Sequence, residues 1–589
     1  MRKFNLTALA LLLGVSFLVP PLPAWSQSAG GSGGAAAAVA PAAGAAASPT
    51  FAAARSSAER ITADKLKEIL YFIASDEMAG RDTPSEGLDA TAKYIADRLK
   101  KLKLKPAGDK GSYFQRIKLR RTQVDLENTS AQLGDRKFRV GEGFLPTGRV
   151  SGEAEGQLVY AGHGWVIRSK GVNAYEGIDV KDKIVVVAGN GTAPPPGVTN
   201  ADIKALPGGD WETPVSYAQK HGAKGLVLIP RNFERMWRYG PRLLGRASYS
   251  VPRLTGGSAS EEDEDDEDKP EPPGVVSIIP SREMLAALFA GERAEGAGII
   301  QAALGAGGAE PLKSFALSPE KRLRMSVRLT AEDASTQNVV GIVEGRDSVL
   351  KKEYVALGAH YDHVGTAARG YGCRPVGSDS ICNGADDDGS GTTALLAMAE
   401  AFSKGKRPRR SVLFVWHAGE EHGLWGSEYF TEFPTVPLEN VVAQLNIDMI
   451  GRSKRPGDTN PRNRMLSGPD EIYVIGSRMM STELAELSES VNRSLLGLKF
   501  NYHYDEPGDP ERLFYRSDHF NYAKKGIPII FYFDGIHEDY HQPTDSADKI
   551  DYEKLEKVTR TVFVTASELA NAPRRPAIDK RLPPERMTR

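Results

Sequence analysis

Tyr354-Val355-Ala356-Leu357-Gly358-Ala359-His360-Tyr361-Asp362 is a short apolar run that ends in an imidazole and a carboxylate. Runs of the same kind recur at Val339 to Val343, Val412 to Val415, Val441 to Ile447, Ile472 to Ile475 and Ile527 to Phe531. Helical periodicity appears at Thr392 to Phe402, Ser481 to Leu496 and Tyr552 to Leu569. Continuously apolar strands are buried on both faces, and helices alternating with them supply the cover. The chain from about residue 331 therefore reads as α/β, a mostly parallel-stranded mixed sheet with helices on both faces. Ligands in such folds bind beyond the carboxyl ends of the strands.

Working outward, Thr62 is placed to cap a helix bearing Leu66, Ile69, Leu70 and Ile73, and a second helix runs from about Leu88 through Ile95 and Leu99. Between about 150 and 300 the texture is strand, loop, strand, helix, Gly-Ala turn, strand: Gln157 to Gly162, Asp182 to Val187, Pro214 to His221 and Gly222 to Ile229. This is a separate β-rich module. Met1-Arg2-Lys3, the apolar Ala8 to Val19 and Ala24-Trp25-Ser26 read as a signal peptide, residues 1–26, cleaved before Gln27. Residues 27–57, mostly Ala, Gly, Ser and Pro, read as a disordered leader. Glu261 to Asp268, eight acidic residues in a row, open a solvated loop over 261–273. The domain expectation is then 58–150 for the first part of the main domain, 151–300 for the inserted module, 301–575 for the remainder, and a flexible tail at 576–589. With 75 basic and 76 acidic residues, no field of one sign favours nucleic acid, and the leader's apolar run is too short for a membrane anchor.

Eight of the ten histidines lie between His360 and His541. His360 and Asp362 follow one strand, Asp386-Asp387-Asp388 opens the helix near Thr392, Glu420-Glu421 follows the next strand, Asp448 closes another, and His541 follows the last. So many acids in one crevice would repel and resist burial without cations. Mixed imidazole and carboxylate ligation suits zinc, and two ions can share a bridging carboxylate.

The contexts of His360-Tyr361-Asp362, Gly384 to Gly391, Gly419 to Ser427, Asn446-Ile447-Asp448-Met449 and Tyr540-His541 closely resemble the secreted di-zinc exopeptidases, the bacterial leucine aminopeptidase and glutamate carboxypeptidase II type. The module at 157–229 resembles the protease-associated domain inserted in the latter kind. The resemblance implies two Zn2+ ions, with His360 and Asp448 on one, Glu421 and His541 on the other, and Asp387 bridging. It implies Asp362 orienting His360, Glu420 as general base and Tyr540 stabilising the tetrahedral intermediate. Ser517 and Asp518 fit the family's pattern near the substrate pocket. A slip to Asp386 or Asp388 is the competing register for the bridge.

Other features have blander readings. His363, His417, His422 and His519 are expected to pack or hydrogen-bond rather than to bind zinc. His-x-x-Glu-His, the inverted zincin order, fails because Glu421 stands where its second histidine is needed; Asp386 to Gly389 begins like a calcium loop that never completes. Cys373 and Cys382 are the only cysteines and are expected to form a disulfide in an oxidising compartment. Arg374, Arg452, Arg512 and Arg516 cannot be placed against a substrate carboxylate. The sequence thus implies a secreted or periplasmic zinc metallo-aminopeptidase acting on peptides, with a homodimer open to it. A glutamate-releasing carboxypeptidase and a catalytically inactive binding protein are the alternatives.

Overall fold

Alternation along the apolar strands sets the layers. In the computed structural model, which describes residues 49–580 and 582 apart from 148–149, scattered positions between 190 and 208, 256–273, 305–312 and 370–371, the main sheet is built from nine principal strands. In chain order these are β1 (Phe114–Val124), β2 (Ser248–Ser250), β3 (Leu329–Val343), β4 (Tyr354–His360), β5 (Ser411–His417), β6 (Val441–Ile447), β7 (Glu471–Ile475), β8 (Lys499–Asn501) and β9 (Ile529–Phe533). Their spatial order is β2-β1-β3-β5-β4-β6-β9-β7-β8. The central strands β5, β4, β6 and β9 are mutually parallel, and β1, β3 and β7 join antiparallel.

Successive side chains of a strand face opposite sides. Val355, Leu357, Val412, Phe414 and Trp416 belong to one buried cluster and Ala356, Leu413 and Val415 to the other. The first is covered by α1 (Pro49–Ala58), α2 (Ala63–Ile73), α3 (Glu86–Lys101), α4 (Gly389–Lys404), and, further along the chain, α6 (Thr482–Leu495) and α8 (Tyr552–Asn571). The second packs α5 (Trp425–Glu432) and α7 (His519–Lys524) through Phe430, Phe520 and Tyr522. Thr62 caps α2 and Ser85 caps α3 by accepting the Lys65 and Leu88 amides, as their residue types favour.

The signal peptide and most of the expected leader lie outside the described residues, as does the acidic loop 261–273. The leader expectation fails for its end: residues 49–57 are helical, because Phe51 supplies an apolar anchor and, with Ala54 and Ala58 on the same face, enters the main core. The tail is tied down through Lys580, where the Thr482 amide donates to Asp579 (2.9 Å) and Lys580 Nζ to the Arg478 carbonyl (2.8 Å).

A second sheet runs Arg136–Arg139, Ser130–Leu133, Arg322–Val327, Gly152–Tyr160, Ile184–Ala188, Gly225–Ile229, Val276–Pro280, Phe144–Pro146. It has a core of its own around Leu158, Ile184, Val227, Ile278 and Phe289 and takes strands from either side of 151–300. The Cys373–Cys382 disulfide is present. Among the described residues no helix is long and apolar enough to cross a membrane.

Phe414 lies at the centre of β5, 6.1 Å from the Phe402 ring and 6.2 Å from Trp416. Phe414→Ala is expected to cost about 3–5 kcal/mol, read as a lowered denaturant midpoint with unchanged slope.

Candidate metal centre

The carboxyl ends of β4, β5 and β6, the loop before α4 and the loop after β9 deliver the predicted metal ligands to one crevice. His360, the last residue of β4, sets its Nε2 3.3 Å from Asp387 Oδ1 and 3.5 Å from Asp448 Oδ1. On the other side of Asp387, His541 Nε2 stands 3.2 Å from Asp387 Oδ2 and 3.1 Å from Glu421 Oε2. Asp387 thus presents one oxygen to each group, and its two neighbours are otherwise engaged. Asp388 caps α4, accepting the Gly391 amide (2.8 Å) and the His360 amide (3.2 Å). Asp386 accepts the Gly451 amide (2.7 Å) and faces His537 Nε2 at 3.3 Å. The middle aspartate is the one that faces both groups.

Backbone hydrogen bonds hold this loop from two sides. Asp545 accepts the amides of Asp386 (3.0 Å) and Asp387 (3.2 Å). Arg81, with no exposed surface, donates from Nε to the Tyr361 carbonyl (2.9 Å), from Nη1 to those of Ile73 (2.8 Å) and Asn383 (2.6 Å), and from Nη2 to that of Gly384 (2.8 Å). One guanidinium fork therefore joins the end of α2, the turn after His360 and the approach to Asp387.

Asp362 does two things. Its backbone carbonyl lies 3.1 Å from His360 Nδ1, with its own Oδ1 at 3.6 Å, and its carboxylate accepts the Glu420 amide (3.2 Å) and the Thr83 hydroxyl (3.1 Å). Glu420 starts a tight turn in which the Gly423 amide bonds back to the Glu420 carbonyl (2.8 Å) and Leu424 has φ +64°. Desolvation, against the pull of His360, together with the Glu421, Asp448 and Asp518 carboxylates, pushes the Glu420 carboxyl well above the usual range. Burial and Asp387 would raise Glu421, yet His541 and His363 hold it down to about 2. Burial would lower His541, but the Glu421 and Asp387 carboxylates push it up to about 11. Tyr540 stacks on His541 at 3.9 Å, and burial beside Asp387 and Glu421 keeps its hydroxyl protonated.

Two expected pocket residues sit beneath the crevice. Ser517 is 1% and Asp518 0% exposed; Ser517 accepts from Asn446 (2.9 Å), and Asp518 faces His417 Nδ1 at 3.3 Å. Three of the four histidines expected to pack do so. His417 meets the Tyr522 hydroxyl (3.1 Å), His519 the Phe514 carbonyl (2.8 Å), and His422 stacks on Trp425 while facing Asp82 (2.9 Å). His363 departs from that expectation, with Nδ1 2.9 Å from Glu421 Oε1 and 3.6 Å from Asp387 Oδ2. A histidine three residues after a strand-end ligand carries no sequence signal of its own, because the chain leaves the strand there and no period predicts its direction. Arg452 pairs with Asp539 at 2.8 Å.

These donors fit zinc. Two groups, His363-Asp387-Glu421-His541 and His360-Asp387-Asp448, each keep their ligand atoms within 4.8 Å of one another. Ligands about 2.0–2.1 Å from a tetrahedral ion stand about 3.4 Å apart, which matches the separations above. His363 Nδ1, Asp387 Oδ2, Glu421 Oε1 and His541 Nε2 are buried and have no hydrogen-bond partner, a costly state that a cation relieves.

Residues 338–566 match the sequence profile of Peptidase family M28. The matched segment contains all five motifs that carry the resemblance read from the sequence. A probable leucine aminopeptidase of Arthroderma benhamiae is 26% identical over 255 residues, 42% of this chain and 61% of that protein. A probable zinc metalloprotease of Leptosphaeria maculans is 27% identical over 295 residues, 45% and 63% respectively. The chain thus spans about three fifths of the length of these curated relatives. Among solved structures, an aminopeptidase from Aneurinibacillus sp. strain AM-1 aligns over 90% of this chain and 98% of its own at 18% identity with a TM-score of 0.48. A zinc aminopeptidase from Bacillus subtilis aligns over 86% and 95% at 17% identity with a TM-score of 0.43.

Replacing Arg81 by Leu strands the four carbonyls of Ile73, Tyr361, Asn383 and Gly384, and is expected to cost about 3–5 kcal/mol. Arg81→Lys should recover less than half of that loss in the same denaturation experiment, since a point ammonium cannot reach all four acceptors.

Proposed function

We propose that the protein is a two-zinc aminopeptidase that hydrolyses the N-terminal peptide bond of peptides. The observation that carries this reading is Asp387, which faces His360 Nε2 with Oδ1 and His541 Nε2 with Oδ2, the last two atoms being buried without hydrogen-bond partners. In this reading His360 and Asp448 hold one zinc, Glu421 and His541 the other, and Asp387 bridges. When bound, the ions supply Lewis-acid activation of the scissile carbonyl and of water.

The chain's own residues supply the rest. Glu420 Oε takes the proton of the attacking water and passes it to the leaving amine nitrogen, so that water and peptide become a free amino acid and a shortened peptide. Asp362 fixes Glu420 through its amide and His360 through the backbone. The Tyr540 hydroxyl donates to the oxyanion that develops on the carbonyl. Acidic groups at the crevice favour a free α-ammonium, and Arg452, engaged by Asp539, is not free to clamp a substrate's α-carboxylate. The second sheet, in this reading, is a protease-associated module, and residues 1–26 direct secretion to an oxidising compartment, which the disulfide suits.

Mature protein loaded with zinc is expected to cleave aminoacyl substrates with a free amine and to leave N-blocked peptides intact. Glu420→Ala should lower kcat by about 10²–10⁴, and a chelator should abolish turnover until zinc is returned. Release of C-terminal residues from N-blocked peptides would instead favour a carboxypeptidase.

A further inference from the structure

His363 is wholly buried, yet neither ring nitrogen has a hydrogen-bond partner. A buried neutral imidazole normally satisfies at least one of its nitrogens, as His417 and His519 do here. Nδ1 comes within 2.9 Å of Glu421 Oε1, but the two are not aligned for a hydrogen bond, and Glu421 Oε1 is itself unsatisfied. Two atoms that are close, complementary and misaligned with each other are arranged as donors to a third centre. The same nitrogen is 3.6 Å from Asp387 Oδ2, and its ring meets that of His541 edge to face at 5.5 Å.

The ring is held in place. The His363 amide donates to the Arg81 carbonyl at 3.2 Å. Its other side rests on Gly384, which has φ +57° and on which a Cβ would come within 2.5 Å of His363 Cγ and Cδ2. Glycine is required there both for the left-handed backbone and for this approach.

On this basis, and resting on the two-zinc reading above, we propose that His363 Nδ1 is a fourth protein ligand in the Glu421 pocket, so that the two metal pockets are unequal. His363, Asp387, Glu421 and His541 complete a tetrahedral shell, whereas His360, Asp387 and Asp448 leave one position of theirs open. A closed four-donor shell is the usual form of a tightly held zinc, and an open one is where exchangeable ligands enter. The Glu421 pocket fills first and empties last; the Asp448 pocket is the one that admits a substrate atom.

The test is zinc titration of the metal-free full chain against a competing chromophoric chelator, with Co2+-substituted protein examined by proton NMR. Wild type should bind two ions with dissociation constants at least tenfold apart, and the Co2+ form should show three strongly shifted, exchangeable imidazole N–H signals. His363→Ala should weaken the tight site tenfold or more and remove one signal, while His422→Ala changes neither. Two shifted signals in wild type, or a tight site that moves less than twofold in His363→Ala, overturns the assignment and leaves the five-ligand centre standing. Failure of wild type to take up metal overturns the proposed function itself. The wild-type signal count decides the matter even where His363→Ala does not fold.

Discussion

Three largely buried carboxylates, those of Asp387, Glu421 and Asp448, are brought together in one crevice, and the structure around them is organised by that concentration of like charge. Burial alone raises a carboxyl's pKa, and neighbouring carboxylates raise it further. Here the imidazoles of His360, His363 and His541 are interleaved between the acids, so that each acid has a potential cation beside it. Asp387 and Glu421 are held low as a result, while Asp448 and Glu420 stay raised. The four carboxyls are therefore sorted, before any ion or substrate enters, into two that the imidazoles hold low and two that burial and neighbouring acids keep raised.

This sorting depends on backbone more than on side-chain contacts. The donors that hold the loops, Arg81 and the Asp386 and Asp387 amides, all have main-chain partners or are themselves main chain. Hydrogen bonds to the backbone fix where a residue's Cα sits without competing for the carboxylate oxygens that face the crevice. Asp388 shows the same economy, since it caps α4 and at the same time accepts the amides of His360 and Met449. A single carboxylate thereby ties three strand and helix ends into one frame.

The parts legible in the sequence were those with a period or a fixed context. The strands ending at His360, His417 and Ile447 read as apolar runs, the last broken only by Gln444 and Asn446, and motifs follow at the strand ends where an α/β sheet binds ligands. Other parts gave no such signal. The first half of β3, with Thr330, Glu332 and Asp333, is polar because it pairs with β1 as a largely exposed ribbon. The α1 helix has much the same alanine-rich composition as the leader before it, and Phe51 is its one large apolar residue. Ser517 and Asp518 occupy a recognisable motif, but whether such residues face a pocket or lie under it is decided by packing against β6 and α7. His363 was hidden for a related reason, as it lies just beyond a strand where the chain's direction is set by Arg81 and Gly384 from elsewhere in the sequence.

The ribbon formed by β1 and β3 carries the chain to the second sheet and back. Val124 faces Leu329 in register, and the Asp125 amide bonds to the Arg328 carbonyl. The route out and the route home are therefore neighbours one interstrand spacing apart, about 5 Å. Residues 125–328 occupy what would otherwise be the tip of a hairpin, a position where extra length adds to closure entropy only logarithmically. The main sheet can gain or lose such an appendage without rethreading any strand that lies outside residues 125–328. The one stitch that must be undone is β2, which returns from the appendage to line the outer edge of β1. Topologically, the module is a graft on a turn, and because Val339 pairs with Trp416 and His360 with His417, the ribbon that carries it leaves the sheet at the same end as His360.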